Sequence, residues 1–84
     1  PVSRQAMAAF LYRVGGTPPF VAPAPTFTDV GLSHPFRKEI EWLADTGITG
    51  GYVDGTFKPS QPVSRQAMAA FLLRLAEDVP VYGL

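Results

Sequence analysis

The sequence predicts a mainly α fold: tandem helix-loop-helix repeats packed as a small helical bundle, with a Pro-rich linker and a tight turn or short hairpin. Three observations predict it. Residues 1–13 and 62–74 align without a gap at an offset of 61 and differ only at Tyr12 against Leu73. Both copies carry apolar residues at helical spacing, Met7, Phe10, Leu11 and Val14 in the first and Met68, Phe71, Leu72 and Leu75 in the second. Between them lie a proline- and glycine-rich stretch, a third amphipathic segment and an Asp-Gly turn. Self-similarity at a fixed period marks stacked units that cannot each bury an apolar face alone.

Each copy of the motif PVSRQAMAAFL places a serine, Ser3 or Ser64, ahead of its helix as an N-cap. Gly15 and Gly16 end the first helix. The prolines that follow, Pro18, Pro19, Pro23 and Pro25, favour an extended and partly stiff connector. A further helix is predicted over 35–46, capped by Ser33 or His34, with Pro35 in its first turn and Gly47 at its end. Its apolar stripe is Phe36, Ile40 and Leu43, while Arg37, Lys38, Glu39, Glu41 and Asp45 make a solvated face. Asp54-Gly55, set between aromatic and β-branched residues, predicts the turn or hairpin over 50–57. Pro59 and Pro62 lead into the last helix. The chain therefore divides into the C-terminal half of a preceding repeat (1–14), a Pro/Gly-rich linker (15–24), a complete repeat (25–76) and a C-terminal tail (77–84). It is expected to open in mid-repeat, with any export signal upstream in a longer parent.

Composition narrows the function. A chain of 84 residues forms one small domain, burying only about 60% of its unfolded surface. Seven basic and seven acidic side chains cancel, which argues against a nucleic-acid surface driven by bulk charge. The Val-Ser-Arg-Gln helix start resembles that of a DNA-recognition helix, but the neutral charge, the Pro-rich connector and the duplication count against that use. There is no cysteine, hence no disulfide and no thiolate metal site; this fits a cytosolic protein and a Gram-positive surface protein equally. No apolar run is long enough for membrane insertion. Glu39 and Glu41 point to different sides of their helix, and no nucleophile–base pair or metal cluster stands out, so no catalytic residue, metal or cofactor is expected.

Five short segments occur in an order that resembles a known family. They are Phe27-Thr28-Asp29-Val30, Ser33-His34-Pro35-Phe36, Gly47-Ile48-Thr49-Gly50, Asp54-Gly55-Thr56-Phe57-Lys58-Pro59 and Val63-Ser64-Arg65-Gln66-Ala67-Met68-Ala69. Together they resemble the S-layer homology repeat. The resemblance implies helix-loop-helix units, usually three in tandem. It also implies a secreted, non-catalytic module held non-covalently at the cell wall or cell surface by secondary cell wall polysaccharide, often carrying anionic sugar groups. Two departures are visible. The family's Trp after His is replaced by Pro35-Phe36, and its Thr-Arg-Ala-Glu becomes Ser-Arg-Gln-Ala in both copies. Ala6 and Ala67 thus stand where a glutamate would complete a capping box, a loss of about 1 kcal/mol or less while the serine cap remains.

With Ser3 or Ser64 as N-cap, Arg4 and Arg65 occupy the first helical position, beside free backbone N–H groups and with no acid to offset them. Such a start suits an anion. Arg4 and Arg65 are accordingly expected to hold anionic groups of a wall glycan, with Ser3 and Ser64 donating hydrogen bonds and Lys58 adding a cation. The competing use of each arginine is a bond to a loop carbonyl or carboxylate, with Asp29 or Asp54 as candidate acids. Trp42 lies off the apolar stripe, so it is expected to be partly exposed or packed against another unit; its indole suits a sugar face, but packing between repeats is the favoured use. Asp54 reads as a turn residue, Asp29 as a cap or loop anchor and His34 as a capping or groove residue. The partners expected are wall polysaccharide and neighbouring repeats. The alternative function is a protein–protein or self-assembly scaffold, in which Met7, Phe10, Leu11 and their counterparts make the isolated chain a homo-oligomer.

Overall fold

A computed structural model describes residues 2–78, with Asp78 in its backbone alone. The rest of the expected tail lies outside the described residues. Helix α1 (Arg4–Val14) starts where extended Ser3 turns its hydroxyl onto the Ala6 N–H, 3.2 Å away. Gly15 closes it by donating to the Leu11 carbonyl. Helix α2 (Arg37–Asp45) is shorter than predicted. Pro35 and Phe36 form a turn ahead of it, in which Phe36 N–H donates to His34 Nδ1 at 3.0 Å. Gly47, at φ +81°, ends α2 as expected, and the next amide reaches back to the Leu43 carbonyl. Helix α3 (Arg65–Asp78) repeats the serine cap, Ser64 Oγ accepting from Ala67 N–H at 3.0 Å.

The expected turn or hairpin is a tight turn closed by Tyr52 N–H on the Thr56 carbonyl. Sheet pairing among the described residues is a single antiparallel bridge between Ser3 and Pro62. Around it Arg4 N–H donates to the Gln61 carbonyl and Val63 N–H to the Val2 carbonyl, each at 2.8 Å. The starts of the two motif copies are therefore bonded to each other. α1 packs on both α2 and α3, and the core gathers on it: Met7, Ala8, Leu11 and Tyr12 meet Ile40, Trp42 and Leu43 of α2, Phe71 and Leu75 of α3, and Phe27, Val30, Ile48 and Phe57 from the loops. The Cα radius of gyration is 12.0 Å, the value of about 12 Å expected of a compact chain this long.

Packing corrects three sequence expectations. In α1 the apolar stripe is rotated: Phe10 and Val14 face solvent while Ala8 and Tyr12 are buried, because α2 covers that side. In α3 Leu72 is exposed and Phe71 and Leu75 carry the burial. Glu41 leaves the solvated face. It is 1% exposed, and its two carboxylate oxygens accept from Thr26 N–H at 2.8 Å and Thr26 Oγ1 at 2.6 Å, fixing the end of the linker to α2. Trp42 takes the second of its two expected settings, 4% exposed and packed against the preceding unit. Its ring meets Tyr12 edge-on at 5.3 Å and lies so close to Gly15 that a Cβ there would come within 2.8 Å of it. The linker has no regular structure, yet it is tied down, with Tyr12 Oη donating to the Pro18 carbonyl and Arg37 to the Pro23 carbonyl.

Candidate functional site

The first motif's arginine is enclosed by the following unit. Arg4 is 6% exposed, its Nε donates to the Phe57 carbonyl at 2.7 Å, and its guanidinium carbon stands 4.6 Å from the ring centre of Phe57, 4.9 Å from Tyr52 and 5.7 Å from Phe71. Of the two uses open to it, the loop-carbonyl bond is the one formed. Burial lowers its pKa from the ordinary arginine value, with Tyr52 and Asp29 opposing that fall; guanidinium nonetheless stays charged at any physiological pH. A buried cation is tolerated when hydrogen-bonded and faced by aromatic rings, whose negative faces partly replace lost water.

Residues 51–61 build this enclosure. Asp29 is the loop anchor expected of it: its carboxylate accepts from the consecutive amides of Phe57 and Lys58, each at 2.9 Å. Lys58 holds a left-handed φ of +58°, an unusual state for a side-chain-bearing residue that the two amide bonds to Asp29 enforce. Its Nζ then lies 4.4 Å from the centre of the Tyr52 ring, so one phenol gathers both Arg4 and Lys58. Gln61 Nε2 donates to Tyr52 Oη at 3.0 Å and orients that ring. Asp54 is the turn residue expected. Its Oδ1 accepts from Thr56 Oγ1 at 2.6 Å and Thr56 N–H at 3.0 Å, and these bonds, the hydroxyl's first, lower its pKa from the ordinary aspartate value. Gly51, at φ +71°, admits no side chain: a Cβ would sit 2.4 Å from the Phe27 ring.

Arg4, Ser3 and Lys58 are thus brought together at the turn. Arg65 and Ser64 lie at the start of α3 outside that enclosure's burial, both exposed and with no acid in the first helical turn. The Ser64 oxygen is used by Ala67 N–H, which leaves the hydroxyl proton free to donate. Trp42 is not part of either group; it packs at the far end of α1, about 16 Å along the helix from Arg4. Tyr52, Phe57, Phe71 and Gln61 went unread in the sequence as site residues. Their signal was the aromatic pair flanking the Asp-Gly turn, which a turn explains by itself. Among the described residues no cluster of His, Cys, Asp or Glu could hold a metal, and no helix is long and apolar enough to cross a membrane.

A family model described as S-layer homology domain matches residues 26–69, just over half the chain. Three relatives are similar over somewhat longer stretches. "Outer membrane protein SlpA" of Deinococcus radiodurans is 36% identical over 62 residues, 73% of this chain and 5% of that protein. "Cell surface glycoprotein 1" of Acetivibrio thermocellus is 37% identical over 59 residues, 70% of this chain and 2% of that protein. "Outer membrane protein SlpA" of Thermus thermophilus is 34% identical over 53 residues, 63% of this chain and 6% of that protein. The chain spans only a few per cent of the length of these relatives. No solved structure matches.

Proposed function

This chain belongs to the S-layer homology domain family, and on that footing we propose that it is a non-catalytic module that holds its parent protein at the cell surface by binding an anionic cell-wall polysaccharide. The gathering of Arg4 and Lys58 on the Tyr52 ring carries this reading. Buried Arg4 fixes the Tyr52 ring from within, and Lys58 beside that ring offers a charged, positioned contact for a carboxylate-bearing sugar. Arg65 and Ser64, open at an acid-free helix start, supply a second cationic contact. Names of the relatives support a surface location: two are outer membrane proteins and one a cell surface glycoprotein. Because the chain's net charge is zero, attraction is local and falls with salt as a few ion contacts would, not as a polycation's would.

Co-sedimentation of the chain with purified cell-wall sacculi, with and without their covalently attached polysaccharide, tests this. Retention is expected on intact sacculi alone. Lys58→Glu and Arg65→Gln should each weaken it by about tenfold, the loss of one charge-assisted hydrogen bond, with an unchanged circular dichroism spectrum. Equal retention on stripped sacculi would sink the proposal.

A further inference from the structure

The turn that encloses Arg4 contains the peptide bond of this chain most open to spontaneous chemistry. The side-chain carbonyl carbon of an aspartate can be attacked by the amide nitrogen that follows it, and glycine, with no side chain, hinders that approach least. The sequence has no asparagine, and of its aspartates only Asp54 is followed by glycine. Val30, Thr46 and Val79 follow Asp29, Asp45 and Asp78, each branched at Cβ. Asp54 is exposed to water, whereas both oxygens of Asp29 are taken by the amides of Phe57 and Lys58.

The fold engages both reactants elsewhere. Thr56 Oγ1 donates to Asp54 Oδ1 at 2.6 Å and Thr56 N–H at 3.0 Å, so the carboxyl group is held from the residue beyond Gly55. The same bonds, the hydroxyl's first, lower the Asp54 pKa and keep it ionised; a carboxylate resists attack far better than a neutral carboxyl group does. The Gly55 N–H, whose proton must leave for the nitrogen to attack, donates to the Tyr52 carbonyl at 3.0 Å. Backbone bonds of this kind come with the turn itself. The Thr56 hydroxyl does not: it is a choice of side chain.

We propose that Asp54-Gly55 is a modification site, where the chain ages by isomerisation to isoaspartate, and that the Thr56 hydroxyl sets how slowly it does so. The Gly55 nitrogen bonds to Asp54 Cγ, the carboxyl OH and the amide proton leave as water, and a five-membered imide results. Water then opens the ring. Opening at Cγ restores aspartate; opening at the Asp54 backbone carbonyl leaves the chain running through Cγ, with the former carbonyl as a free carboxylate. The backbone is then one methylene longer, which breaks the register of Tyr52 N–H with the Thr56 carbonyl and of Thr28 N–H with the Gly55 carbonyl. Phe57, whose carbonyl holds Arg4, follows directly, so the aged chain melts below the native one. All of this rests on the bonds of the turn and is independent of the polysaccharide reading.

The test ages the full 84-residue chain, Thr56→Val and Thr56→Ser side by side in warm, mildly acidic buffer, with the native chain in denaturant as the unfolded reference. Isoaspartate is located by peptide mapping with electron-transfer fragmentation. It is expected at Asp54 before Asp29, Asp45 or Asp78, and more slowly in the folded chain than in denaturant. Thr56→Val should speed it by about tenfold, the loss of one hydrogen bond to a charged group, with the helical circular dichroism retained. Thr56→Ser, which keeps a hydroxyl, should restore the native rate; Thr56→Ala stands in where the valine variant does not fold. The proposal is overturned by equal rates in folded and denatured chains, by isoaspartate arising first at another aspartate, or by a folded variant without the hydroxyl that ages no faster than the native chain.

Discussion

Arg4 and Arg65 are the same residue at the same position of the same motif, yet only Arg4 is enclosed by rings and bonded to a backbone carbonyl. Their substitutions should therefore separate widely. Arg4→Ala removes a charged hydrogen bond and the packing of three aromatic faces, a loss of about 2–4 kcal/mol in chemical denaturation. Arg65→Ala should change stability by less than about 0.5 kcal/mol. Equal effects would mean that the enclosure contributes nothing. Asp54 gives a second test at this scale. Its folded-state pKa is lowered by the Thr56 hydroxyl and amide, so the turn's contribution is present above the ordinary pKa of 3.8 and is lost as pH falls through the lower folded value. Asp54→Asn keeps the acceptor without the charge. Below about pH 4 the native chain should lose stability along a limb that the variant lacks, read from denaturation midpoints across the acid range.

At the scale of elements, the helices were legible and their orientation was not. Serine caps, glycine stops and apolar spacing suffice to locate α1 and α3, because those signals are local. Which face is buried depends on the neighbour, and a motif with apolar residues nearly all round leaves that open. Glu41 shows the same limit from the polar side: a carboxylate reads as solvated unless the distant Thr26 that it binds is known. Trp42 was placed by the seam it fills between α1 and α2, which the Gly15 backbone makes room for. Gly15→Ala should then cost about 1–3 kcal/mol by overpacking and diminish the near-ultraviolet circular dichroism of Trp42. Ala76→Gly, at the matching place on bare α3, should cost no more than the helix propensity difference of about 1 kcal/mol. An indifferent Gly15→Ala would mean the α1–α2 approach is looser than this contact requires.

At the scale of the molecule, the repeat itself was the most legible feature, and its consequence is uneven support. α1 has neighbours on two sides, whereas α3 is covered along Phe71 and Leu75 and bare along Leu72 and Leu73. The site at Tyr52 was less legible for a related reason. It is assembled from the start of one motif copy and the turn that precedes the other, which no single stretch of sequence displays. Uneven cover predicts uneven opening. Amide hydrogen exchange should be slowest in α1 from Met7 to Leu11, where opening exposes the shared core, and faster in α3 beyond Phe71, where fewer apolar contacts are broken. Equal protection of both helices in dilute solution would show that the exposed face carries no energetic cost.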